Sequence, residues 1–160
     1  MNNTLEAALA LTKGPLSRLA LRYSFIMRDL VIKSKESGFT DAGWAPLADL
    51  VATDEFERIG CFREKLRWDQ YDGLLTMWGK ATIWDFTVLN TTEGDGYAIV
   101  ELEEYATYPD RTETYNSLTI YEFNAASKLS RLKLYLSQAQ PASAVPSPRW
   151  NLTETAAATV

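Results

Sequence analysis

With no histidine among its 160 residues and a single cysteine, this chain must rest any acid/base chemistry on carboxylates and tyrosine hydroxyls. One group of acids lies in "VATDEFERIGCFREKL", residues 51–66, where Asp54, Glu55 and Glu57 precede Gly60. Period-two alternation sets Glu55 and Glu57 on one face of a short strand, and Phe56 and Arg58 on the other. Glu57 has two readings: a carboxylate in an apolar cavity whose pKa is lifted until it can shuttle a proton, or a solvated acid paired with an Arg. Asp54 and Glu55 fit capping and solvation. The second group is "ELEEY", which puts Glu101 and Glu103 on the Tyr105 face, opposite Val100, Leu102 and Glu104. If the Tyr105 face lines a cavity, the two acids form an acid/base pair; if it faces water, they are solubilising charges. Trp68, Trp78 and Trp84 are either core or the walls of a pocket for a flat apolar molecule.

Composition removes several classes of function. Without histidine there is no Ser-His-Asp or Cys-His catalysis and no His-ligated metal. Cys61 alone makes no intrachain disulfide; it reads as a small buried apolar residue and is compatible with a reducing cytoplasm. No third ligand accompanies Glu101 and Glu103, so no metal is expected. A net charge of −5 opposes binding to nucleic acid or to an anionic membrane surface. No apolar run approaches a membrane span, and the opening "MNNTLEAALALTKG" lacks the basic start of a signal peptide.

The elements that must position these groups follow from periodicity. After a weakly helical arm and Gly14-Pro15, apolar residues recur at three and four from Leu16 to Val31, which predicts a long amphipathic helix to about residue 35, stopped by Gly38. Tyr23 lies on its apolar stripe, either as a core tyrosine or as a hydrogen-bond donor to developing negative charge. "FTDAGWAPLADLVA" predicts a second helix with Thr40 or Asp41 as N-cap. A short strand over residues 55–59 follows, then a helix in "REKLRWDQYDGLLTMWGKA". From Lys80 the period changes to two, giving four strands joined by "TTEGDG", "YPDR" and "NAAS", an antiparallel meander. Residues 139–160, rich in Pro, Ala and Ser, read as a mostly irregular tail that Trp150 could anchor. One domain over 1–138 is expected, α+β in class, with three helices on one face of a curved antiparallel sheet that forms a cone.

The segments "LRYSFIM", "ATDEFERIG" leading into "REKLRWDQYDGLL", and "LTIYEFNAASKLSRLKLYL" resemble the nuclear transport factor 2-like superfamily, which includes ketosteroid isomerase-like proteins and SnoaL-like polyketide cyclases. The resemblance covers residues 16–138 and implies a cone-shaped α+β barrel that binds a small apolar organic molecule. It also implies a homodimer formed through the sheet's outer face. Laid over this chain, the isomerase pattern puts its oxyanion tyrosine on Tyr23, its general base on Glu57 and its neutral acid on Thr119. Glu is a methylene longer than Asp, and Thr donates more weakly than a neutral carboxylic acid, which speaks against steroid isomerisation itself. The epoxide hydrolases of the superfamily need an Arg flanked by aspartates; here the corresponding positions are Glu101 and Glu103, with Leu134 in place of the last acid, which excludes that activity. What the resemblance implies is an isomerase, cyclase or dehydratase that works without a cofactor, with Trp68, Trp78, Trp84, Glu101, Glu103 and Tyr121 around the ligand. A non-catalytic ligand carrier or dimerising accessory module is the competing class.

Overall fold

A computed structural model describes residues 3–138 of the chain; the expected tail, with Trp150, lies outside them. A single helical turn, α1 (Leu5–Leu9), precedes the long helix α2 (Pro15–Lys33). Pro15 opens α2 because a first-turn N–H has no intrahelical partner to lose. The orphan donors there are met from afar: Ser17 donates its N–H (2.8 Å) and its hydroxyl (2.9 Å) to Glu93. The helix ends at Lys33, earlier than Gly38 suggested; Gly38, at φ +88°, serves the turn beyond it. Lys35 fastens this end. Its ammonium donates to the carbonyls of Val31 (2.9 Å), Gly79 (2.9 Å) and Thr82 (2.6 Å), binding the C-terminal end of α2 to that of α4 (Trp68–Ala81). Burial lowers the pKa of that ammonium.

The helix expected in "FTDAGWAPLADLVA" is broken in two, a 3-10 turn at Asp41–Trp44 and the one-turn helix α3 (Ala45–Ala48). Pro46 in the first turn of α3 supplies no N–H to continue the earlier turn. Trp44 is buried and donates to Thr76 on α4 at 2.8 Å. The short strand β1 (Glu57–Ile59) is followed by β2 (Lys65–Leu66), two residues that sequence periodicity had assigned to the next helix.

Strands β3 (Ile83–Gly94), β4 (Tyr97–Thr107), β5 (Thr112–Phe123) and β6 (Leu129–Gln138) form the meander. The sheet order is β2-β1-β6-β5-β4-β3. β1 runs parallel to β6, so the sheet is mixed rather than wholly antiparallel, and it is open rather than a closed barrel. Gly96, at φ +76°, makes the tight turn between β3 and β4 that only a residue without Cβ enters freely. A register shift between Val88 and Asn90 bulges β3 and adds to the curvature. The concave face carries Phe86, Val88, Val100, Leu102, Tyr121 and Leu132, all buried under α2 and α4, whereas Leu89, Tyr97 and Tyr135 are exposed on the convex face. Cys61, expected inside, is exposed on the loop between β1 and β2. No helix among the described residues is long and apolar enough to cross a membrane.

Candidate functional site

A cavity of about 290 Å³ opens between the concave face of the sheet, α2, α4 and the β1–β2 loop. This is at the small end of the size range of ligand pockets. Burial grades along it. At the deep end Tyr23, Thr119, Tyr121 and Leu132 are buried, while at the mouth Phe62 is 90% exposed. Most of the wall is apolar, with Met27, Leu75, Trp78 and Leu102 among its side chains. Three polar centres interrupt it.

The first is a hydroxyl cluster at the deep end. The Tyr121 hydroxyl lies 2.9 Å from Ser24 Oγ, which donates onward to the Ala20 carbonyl at 3.1 Å. Tyr71 donates weakly to Met27 Sδ at 3.7 Å. The buried Tyr23 hydroxyl has no hydrogen-bond partner among the described residues, although its ring meets Tyr121 edge-on at 5.8 Å. Burial first, then the neighbouring Tyr71 and Tyr121, pushes the Tyr23 pKa well up, and burial does the same for Tyr121. Both therefore stay neutral, and the Tyr23 O–H, which meets no acceptor among the described residues, suits an oxygen that gains negative charge.

The second centre is Glu104 on β4. Trp84 Nε1–H donates to its Oε2 at 2.7 Å, and Trp84 in turn packs against Trp78 with ring centres 5.9 Å apart. No Lys or Arg among the described residues forms an ion pair with it. Burial raises its pKa; the Ser117 and Trp84 side chains favour the ionised form without cancelling that effect. The Ser117 hydroxyl is close enough to do so, yet is buried outside hydrogen-bond geometry.

The third centre lies at the rim, where Arg58 Nη1 donates to Glu64 Oε1 at 2.8 Å and the guanidinium sits 5.3 Å from the Tyr71 ring centre. Partial burial raises the Glu64 pKa, but the Arg58 bond and the Phe62 N–H (3.0 Å) outweigh it, so the carboxylate is held below its ordinary range.

Of the residues singled out from sequence, Tyr23, Thr119, Tyr121, Trp78 and Trp84 meet on this cavity. Glu57 does not join them: of its two readings the structure gives the acid paired with an Arg, not the cavity carboxylate that the isomerase pattern implies. The β1–β6 register pairs Arg58 with inward-facing Leu132 and Glu57 with outward-facing Arg131. Glu57 therefore leaves the sheet on the convex side, 3.3 Å from Arg131 Nε and 3.7 Å from Lys65 Nζ. Glu101 and Glu103 also lie on the convex face: Tyr105 donates to Glu103, and Asn90 Nδ2 lies 3.5 Å from Glu101. Trp68 stands behind the cavity wall, edge-on to Phe56 at 5.6 Å and to Tyr71 at 6.1 Å. Sequence reasoning passed over Glu104 and Arg58. The signal for both was present in the alternation, since each is the charged member of an otherwise apolar strand face, Val100-Leu102-Glu104 and Phe56-Arg58. Among the described residues no three acids or cysteines gather closely enough to hold a metal ion.

No protein-family model and no curated protein matches the sequence. Solved structures do match the fold. A protein of Shewanella putrefaciens CN-32, assigned by name to the SnoaL-like polyketide cyclases, superposes with a TM-score of 0.65 at 8% identity, over 85% of this chain and 88% of its own. A protein of Kribbella flavida DSM 17836, assigned by name to the ketosteroid isomerases, gives 0.54 at 16% identity, over 79% and 87%. A hypothetical protein of Catenulispora acidiphila DSM 44928 with a ketosteroid isomerase-like fold, solved with trimethylamine, gives 0.51 at 9% identity, over 66% and 83%. The chain has the nuclear transport factor 2-like fold. At these identities the likeness extends to the fold and not to the activity.

Proposed function

We propose that the protein binds a small, largely apolar molecule in this cavity and moves a proton on it without a cofactor, as an isomerase, cyclase or dehydratase of polyketide, terpenoid or steroid-like compounds. The observation that carries this reading is Glu104, a carboxyl set against the Trp84 indole with no cationic partner among the described residues, its pKa raised by burial. A carboxyl with a raised pKa is the stronger base once ionised and keeps its proton to a higher pH, which suits it to proton transfer. Glu104 acts as the acid/base. Tyr23, whose buried hydroxyl lacks a partner among the described residues, donates to the oxygen that becomes negative, with Thr119 and Tyr121 beside it. Glu57 has no part in this chemistry, because its carboxylate lies across the sheet.

The test is proton exchange. Wild-type protein is expected to conjugate the double bond of a β,γ-unsaturated cyclic ketone, or to exchange its α-protons with deuterated solvent, and Glu104→Gln is expected to lose this. Equal rates for the two proteins remove Glu104 from the mechanism. The exposed Leu89, Tyr97 and Tyr135 on the convex face favour a second element of the reading, a homodimer formed through the sheet. A monomer in light scattering at micromolar concentration counts against it. Exposed Cys61 without a disulfide partner fits a reducing compartment such as the cytoplasm.

A further inference from the structure

We infer that the molecule bound in the cavity carries a carboxylate, which takes the guanidinium of Arg58 by displacing Glu64 from it. This rests on the ligand-binding reading above and names the class of ligand: a small apolar body with an acidic head group.

Arg58 is the one charged side chain that β1 turns inward, and only 9% of the residue is exposed. Burying a guanidinium beside an apolar cavity costs several kcal/mol of desolvation, roughly, before any partner restores it. Its one hydrogen-bonded partner among the described residues is Glu64, which uses Nη1 alone. A guanidinium has five N–H donors in a planar fork suited to a carboxylate. The remaining donors meet no acceptor among the described residues, and Arg58 forms part of the cavity wall.

Fastening the β1–β2 loop does not account for the pair. That loop is already closed by its backbone, with Gly60 N–H donating to the Glu64 carbonyl at 3.0 Å and Arg63 N–H to the Gly60 carbonyl at 3.0 Å. Glu64 is also suited to leave, since its side chain is 36% exposed and can return to water without crossing the protein. Room for the exchange is kept by Gly60, where a Cβ would lie 1.6 Å from Glu64 Oε1 and 2.5 Å from Arg58 Nη1. The opposite polarity is weaker. A cationic ligand would need Glu104 ionised, and burial works against that state.

The test is calorimetric titration of the full chain with three ligands that share one ring system: 2-naphthoate, its methyl ester and 2-naphthylmethylammonium. Wild type is expected to bind the acid about tenfold more tightly than the ester, the value of one charge-assisted contact. Arg58→Met is expected to abolish that preference, so that acid and ester bind with the same affinity. Glu64→Gln, which keeps the guanidinium and removes its competitor, is expected to strengthen acid binding by about tenfold. Should Arg58→Met fail to fold by circular dichroism, Glu64→Gln decides, and unchanged acid affinity overturns the inference. Ester bound as tightly as acid, or the ammonium bound most tightly, also overturns it while leaving the proposed proton-transfer site intact. Binding of none of the three removes both readings.

Discussion

Glu103 and Glu104 are neighbours on β4, and their side chains leave the strand on opposite faces of the sheet. Glu103 accepts a hydrogen bond from Tyr105 on the convex side, whereas Glu104 sits on the concave side against the Trp84 indole. The same contrast recurs on β1, where Glu57 lies outside with Arg131 and Lys65 and Arg58 lies inside against Tyr71. One residue of register thus separates a charge that keeps a surface hydrated from a charge that can do chemistry. The chemical type of the side chain decides little here; its side of the sheet decides most.

This contrast can be broken by experiment. The largest effect is expected on turnover. Glu104→Gln should lower the rate on any substrate found by about 10² to 10⁴-fold, as loss of a general acid/base does, while Glu57→Gln stays close to wild type. A comparable loss in both variants would end the inside–outside distinction. Stability should divide the same way. Phe86→Ala on the concave face should cost about 3–5 kcal/mol in urea denaturation, and Tyr135→Ala on the convex face within about 0.5 kcal/mol.

A smaller effect follows from the raised pKa of Glu104. Below about pH 4 its carboxyl is protonated in both folded and unfolded chains and contributes nothing to the pH dependence. As pH rises, the unfolded chain releases that proton first, the folded state holds more protons, and stability falls. Glu104→Gln should therefore match wild type in acid and become the more stable protein towards neutrality, which parallel denaturation curves would show. A stability gap that does not change with pH would contradict the burial of that carboxyl. The smallest effect belongs to the rim. Gly60→Ala pushes the flexible Glu64 carboxylate away from Arg58, and its expected effect is a change in the affinity for acidic ligands, read by titration.

Much of the architecture was legible because periodicity reports burial. The apolar spacing gave α2 nearly to its ends, and the change to period two at Lys80 gave all four long strands. The misses have local causes. Pro46 split one helix, and β2 is two residues that become strand only by pairing with β1, a tertiary event with no local signature. The site was less legible. Tyr23, Trp78 and Trp84 could be named from their apolar surroundings and Thr119 and Tyr121 only through the resemblance, but the direction of β1 depended on its parallel register with β6, more than 70 residues away in sequence. The alternation in "VELEEYA" did hold the answer for Glu104, on the same face as Val100, Leu102 and Ala106. Two acids at alternate positions on the other face looked more like a site than one acid alone in an apolar row.

Lys35 gives the arrangement a further property. Its three partners are backbone carbonyls, so protonating acids leaves that knot intact, and only alkali, by discharging an ammonium whose pKa burial has already lowered, weakens it. The Arg58–Glu64 pair behaves the other way, holding above the depressed pKa of Glu64 and letting go in acid. The two contacts therefore fail at opposite ends of the pH scale. Acidification frees Arg58 from Glu64 while Lys35 keeps α2 and α4 tied to each other.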